Sequence, residues 1–204
     1  LSLRDRGIDA CALGLDNLLV MMLPTQNAQR VQEPVAIEEE PKEVAPPASF
    51  LMFAQTAESI RKTSSKLMKI DVLSSYFQQL PQDLIGPAAI YFTGKAFAQG
   101  DARVLQCGWA IIKRALLAVS GLSEADYRAT YRKYSDSGET AQSVLHGRTK
   151  PGTAFWSAAE APAWFDQLAK LRGPQAKGEH LEKHLARLRP LEAKYLVKII
   201  TGDL

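Results

Sequence analysis

The sequence predicts an all-α protein on three observations. Downstream of Ser49, apolar residues recur at three- and four-residue steps, and no alternating apolar–polar run of five or more residues interrupts them. Helix signals punctuate the same stretch: serines at 49, 64, 65 and 123 stand where helices begin, and Pro81, Gly121, Gly173, Pro190 and Gly202 stand where they end. The composition, 204 residues with 46% hydrophobic and 23% charged, suits one well-buried domain or two small ones. It excludes collagen-like, coiled-coil and wholly disordered chains.

Residues 1–31 read either as a short docking helix or as the end of a preceding domain. The run Q-E-P-V-A-I-E-E-E-P-K-E-V-A-P-P-A at 32–48 is linker chemistry: its four prolines donate no backbone hydrogen bond and its three adjacent glutamates repel, so it should be extended and mobile. A helical domain is then expected over 49–204. Ser49 caps a helix over 50–61, and Ser64 or Ser65 caps the next, whose apolar positions are Leu67, Ile70, Leu73, Phe77 and Leu80, with Pro81 stopping it. A short helix over 83–92 precedes a turn at Gly94 and a polar loop near Gly100. Trp109, Ile112, Leu116 and Val119 form one stripe closed by a left-handed Gly121. Ser123 and Asp126 open a helix over 124–133, and Gly138 sits in the turn before a helix over 139–145. After a basic loop at 146–153, one helix carries Trp164, Leu168 and Leu171, another carries Leu181, Leu185 and Leu188, and the last runs from Pro190 to Gly202. Eight or nine helices are expected.

Charge is unevenly placed. Residues 1–50 hold 4 Lys/Arg against 8 Asp/Glu, a net of −4, while residues 51–204 hold 21 against 14, a net of +7. An acidic arm precedes a basic body, and clustered cations attract anionic partners such as nucleic acid. Cys11 and Cys107 show no metal or disulfide spacing, which suggests a reducing, cytoplasmic compartment. The apolar hexamer at 18–23 falls far short of the roughly 20 residues that a membrane span needs. Nor does the N-terminus read as a secretory signal. Because residue 1 is Leu, the chain is expected to be a piece of a longer protein.

No catalytic constellation emerges. Gly94-Lys95 lacks the earlier glycine and the Ser/Thr of a phosphate loop, and no G-x-S-x-G occurs. His180 and His184 stand one turn apart, but with no third ligand they read as part of a solvated face, and no metal is expected. Four turns at predicted helix starts are more informative: Ser64-Ser65-Lys66, Gln106-Cys107-Gly108, Ser135-Asp136-Ser137-Gly138 and Gln175-Ala176-Lys177-Gly178. Unpaired N–H groups at such termini bind phosphate oxygens irrespective of base sequence. Ordinary capping with incidental lysines is the plain alternative for any one of them.

The final run P-L-E-A-K-Y-L-V-K-I-I-T-G-D-L (190–204) resembles the segment that closes the N-terminal DNA-binding domain of bacterial and archaeal ATP-dependent DNA ligases. Other strings follow in the family's order: Phe53-Ala54, T-S-S-K-L (63–67) with Tyr76-Phe77, I-Y-F-T-G-K-A-F (90–97), L-Q-C-G-W (105–109), Y-S-D-S-G-E-T-A (134–141), and Arg172-Gly173-Pro174 with Lys177. This resemblance implies a helical domain that grips the minor groove of nicked duplex DNA, acting with downstream nucleotidyltransferase and OB domains. In the whole ligase a K-x-D-G lysine takes AMP from ATP with Mg²⁺; the nearest string here, K-I-D-V (69–72), lacks the glycine and reads as exposed helix surface. Hence no catalytic residue and no cofactor are expected in this chain, with ATP and Mg²⁺ belonging to the full ligase. By position, Ser65, Lys66, Gly108, Asp136, Gly138, Lys177 and Gly178 are the implied DNA-contacting turns. Ser135 stands where the family has glycine, which makes Asp136 more a cap than a contact. Replication, repair and recombination are the implied settings, and a monomer is expected. From a different class, a helical protein-interaction scaffold remains the competing reading.

Overall fold

The computed structural model describes residues 45–152 and 154–204. Residues 1–31 and most of the linker at 32–48 lie outside them. Nine helices form among the described residues: α1 (Phe50–Lys62), α2 (Lys66–Gln79), α3 (Gln82–Tyr91), α4 (Trp109–Ser120), α5 (Glu124–Tyr134), α6 (Ser137–Leu145), α7 (Ala161–Lys170), α8 (Pro174–Leu185) and α9 (Pro190–Thr201). The all-α expectation holds, and the only β feature among them is one isolated bridge between Ser49 and Ser157.

The ends follow the capping chemistry. Ser49, Ser65, Ser123 and Asp136 each accept a hydrogen bond from a first-turn amide, which satisfies one of the donors a helix start leaves over. Gly121 and Gly202 close α4 and α9 in the left-handed region. Ser135 closes α5 in that same region with φ 51°, so the glycine that the resemblance called for would have served backbone conformation there.

Helix α9 is the centre of the packing. Nine of its residues are buried, and it lies against α6 and α1, while α4 packs on α8. Around α1, Phe53 meets Tyr91, Phe92 and Tyr195, and Phe50 meets Trp156 at 4.3 Å between ring centroids. Rings of this size bury large apolar areas and so dominate the core.

Several expectations need correction. The end of the linker is not free: Ala45 is buried, and the Ala48 carbonyl accepts from the Ala158 amide. The predicted stripe of α2 is only half used, since Leu67 and Ile70 are exposed and Tyr76 alone is buried within the helix. Gly138 lies inside the first turn of α6, not before it, and Gln175, Ala176, Lys177 and Gly178 lie within α8. Of the α8 histidines, His184 is buried and His180 half-buried, so neither lies on a fully solvated face. His184 is 5% exposed, stacked on Trp164 at 4.6 Å and edge-on to Trp156 at 4.2 Å, and His180 stacks on Trp164 at 5.0 Å. Burial holds the His184 imidazole neutral, with its pKa pushed down to about 3.

Candidate nucleic-acid interface

Buried charges hold the helix starts of α6 and α8. Lys194 of α9, 1% exposed, places its ammonium 2.7 Å from both Glu58 of α1 and Glu139 of α6. Tyr195 donates its hydroxyl to Glu58 at 2.9 Å, and Arg61 reaches Glu58 at 2.6 Å and Glu139 at 3.7 Å. Burial alone would raise the Glu58 pKa, but hydrogen bonds from Arg61, Lys194 and Tyr195 outweigh it and bring it to about 2. One turn along α9, Lys198 donates to Asp136 at 2.6 Å and to the Asp203 carbonyl at 3.0 Å. Asp136 therefore caps α6 through Oδ1 and pairs with Lys198 through Oδ2. Burial acts to raise its pKa as well, and the bonds from Lys198 and the Glu139 amide pull it below the usual carboxylate range.

Gly138 is the hinge of this contact. A Cβ there would lie 2.6 Å from Lys198 Cγ and 2.9 Å from the Lys194 carbonyl, so only glycine lets α6 cross α9 this closely. At Gly178 a Cβ would crowd only the end of the Arg114 side chain, a guanidinium that donates to the Pro174 carbonyl at 2.6 Å and can swing aside. Lys177 is 3% exposed and donates to the carbonyls of Leu105 and Leu168. Gly138, Lys177 and Gly178 thus face inward: Lys177 spends its charge on carbonyls, Gly138 makes room for α9, and Gly178 lies under the Arg114 side chain. Ser65, Lys66 and Gly108 lie on the surface, and Asp136 is half-buried.

These links join the turns into one band. Lys177 ties the start of α8 to the loop that leads into Gly108. Trp109, the first residue of α4, packs on Tyr131 at 4.9 Å, while Lys113 pairs with Glu124 at 3.1 Å, so α4 and α5 run in opposite senses and the start of α4 meets the end of α5. The end of α5 leads directly into Asp136 and α6. Glu139 and Arg61 then connect α6 to the end of α1, three residues before the cap of α2 at Ser65. Along or beside the band, Lys62, Lys66, Lys69, Arg132 and Arg172 pair with no carboxylate among the described residues. Gly108 adds an α4 start with no side-chain cap and open space where a Cβ would be. Cys107 beside it is buried, and burial pushes its thiol up to about 11, so it is a packing group and no nucleophile.

Sequence reasoning missed Glu58, Glu139, Lys194 and Lys198. One signal was available. Helix α9 carries apolar residues on every side, Leu191, Ala193, Tyr195, Leu196, Val197, Ile199 and Ile200, and so leaves no solvated face for its lysines.

The model of the family described as DNA ligase N terminus matches residues 49–204. The chain belongs to the DNA ligase N-terminal family. It is 37% identical to the "Probable DNA ligase" of Opitutus terrae over an alignment that covers 100% of this chain and 24% of that protein. The "Probable DNA ligase" of Koribacter versatilis is also 37% identical, over 75% of this chain and 26% of that protein. The "DNA ligase" of Methanopyrus kandleri is 26% identical over 76% of this chain and 29% of that protein. The chain therefore spans about a quarter of the length of these relatives. No helix among the described residues is long and apolar enough to cross a membrane.

Proposed function

We propose that this chain is the DNA-gripping module of an ATP-dependent DNA ligase, which holds nicked duplex DNA through sequence-independent minor-groove and phosphate contacts. The carrying observation is the band of four linked helix starts flanked by cations without carboxylate partners. Helix N-termini and lysines bind phosphate oxygens whatever the bases, as a nick-sealing enzyme requires. Within the band, Ser65, Lys66 and the Gly108 turn contact DNA, Asp136 caps, and Gly138, Lys177 and Gly178 position the turns. Sealing belongs to nucleotidyltransferase and OB domains of the same protein, where ATP and Mg²⁺ act, because no K-x-D-G occurs in these 204 residues. The module works as a cytoplasmic monomer on chromosomal DNA in replication, repair or recombination.

Lys66→Glu tests the assignment. Its affinity for nicked duplexes of unrelated sequence should fall by a common factor, and a change of base preference would contradict phosphate contact. Incubation with labelled ATP should leave the chain unmodified; covalent AMP on it would place adenylation here. A second reading, a scaffold for partner proteins, is favoured by the exposed Leu67, Met68 and Ile70 on α2. Under that reading Lys66→Glu leaves DNA binding unchanged.

A further inference from the structure

We propose that Trp109 and Tyr131 form an apolar ledge that packs on the deoxyribose face of a DNA strand, between phosphates held by the neighbouring helix starts. This inference rests on the DNA-gripping reading and adds to it a contact that carries no charge. Both residues are 37% exposed, although Trp is the side chain that gains most from burial. Their inner sides are fixed: Trp109 packs on the buried Tyr127 at 5.8 Å and on Tyr131 at 4.9 Å. The exposed surface is therefore a preset platform, which loses little side-chain freedom on binding.

The surroundings select the occupant. Trp109 is the first residue of α4, and the helix's own hydrogen bonds begin at Ile111, so the amides of Trp109 and Ala110 lie outside the α4 ladder beside the ring. Gly108 leaves open space next to them. On α5, Arg132 follows Tyr131 with no carboxylate partner among the described residues, while Arg128, one turn before it, is paired with Glu124 at 2.9 Å. A ledge flanked by phosphate-binding amides and an arginine is complementary to a strand that alternates phosphate and sugar. In a duplex the base faces are stacked on one another, so the apolar surface offered between successive phosphates is the C–H face of the sugar. A purely apolar partner would strip water from Arg132 without repairing the loss.

The test is binding of a nicked duplex by wild type and Trp109→Leu over a range of salt concentrations. The expected result is a Kd raised roughly tenfold in the variant at every salt concentration, about 1.4 kcal/mol. The slope of log Kd against log salt should be unchanged, because a contact to sugar releases no counterion. Trp109→Phe, which keeps a ring, should restore most of the affinity. Equal binding by wild type and Trp109→Leu, or a slope changed by about one unit, overturns the ledge and leaves the DNA-gripping reading intact. Failure of wild type to bind at all overturns that reading instead. Should the leucine variant not fold, wild type decides: DNA must shield Trp109 from acrylamide, read as the quenching difference between wild type and Trp109→Phe. Absence of shielding overturns the proposal.

Discussion

Replacing Lys194 by methionine keeps an unbranched side chain one atom shorter and removes the ammonium that sits between Glu58 and Glu139. Methionine leaves two carboxylates close together in a poorly hydrated pocket. Removing one partner of a buried pair costs about 3–5 kcal/mol, chiefly because the charge left behind is uncompensated. Two features put this case at the low end, about 3 kcal/mol. Glu58 and Glu139 keep side-chain exposures of 15% and 21%, so water still reaches them, and Arg61 remains 2.6 Å from Glu58. For a domain of this size the loss lowers Tm by roughly 6–12 °C. Urea unfolding followed by circular dichroism at neutral pH measures it, and an unchanged slope against urea would show that the folded state itself is kept. The triple variant Lys194→Met/Glu58→Gln/Glu139→Gln removes the repulsion and should recover at least half of the loss. A Lys194→Met variant within about 0.5 kcal/mol of wild type, or a triple variant less stable than the single one, refutes the reasoning.

Three further outcomes follow from the packing and the titrating groups. Gly138→Ala should destabilise the domain by about 2–3 kcal/mol: the Lys198 side chain can swing away from the new methyl but the Lys194 backbone cannot, so α6 must shift from α9, and urea unfolding reads the cost. His184 is neutral when folded, with a pKa of about 3, and takes up a proton near pH 6.5 when unfolded, so its contribution is present above about pH 6.5 and declines as pH falls toward 3. His184→Leu should accordingly gain on wild type between about pH 7 and pH 5, above the range in which Glu58 titrates; a constant stability gap would show that His184 is not buried neutral. Ser135→Gly should stabilise the domain by roughly 0.5–1 kcal/mol, by relieving the left-handed conformation at the end of α5, and a thermal melt unchanged or lowered would contradict that.

Local chemistry made the helices legible. A serine that can accept from its own first-turn amides, or a glycine that can turn left-handed, marks a boundary wherever it stands, and so the starts at Ser49 and Ser123 and the stop at Gly121 could be read directly, and the start of α2 to within one residue, Ser64 or Ser65. The direction in which a turn residue faces is set by a distant element and could not. Gly138 is needed because α9 passes over it, and Lys177 turns inward because the residue-105 loop offers it a carbonyl. The same limit applies to α2, whose periodicity runs on through Leu67 and Ile70 although both are exposed, and to His184, which two tryptophans from elsewhere enclose. Trp109 was read as one more core position of α4, because periodicity does not distinguish the first residue of a helix, left at the rim, from those behind it.

The most direct measurement is the salt dependence of binding between the wild-type chain and a nicked duplex. Each phosphate neutralised by a lysine or arginine should contribute about −0.9 to the slope of log binding constant against log salt, so a grip through three or four of the cations along the band should give a slope near −3 to −4 with equal affinity for unrelated sequences. Binding that is absent, or that is indifferent to salt, would contradict the DNA-gripping role.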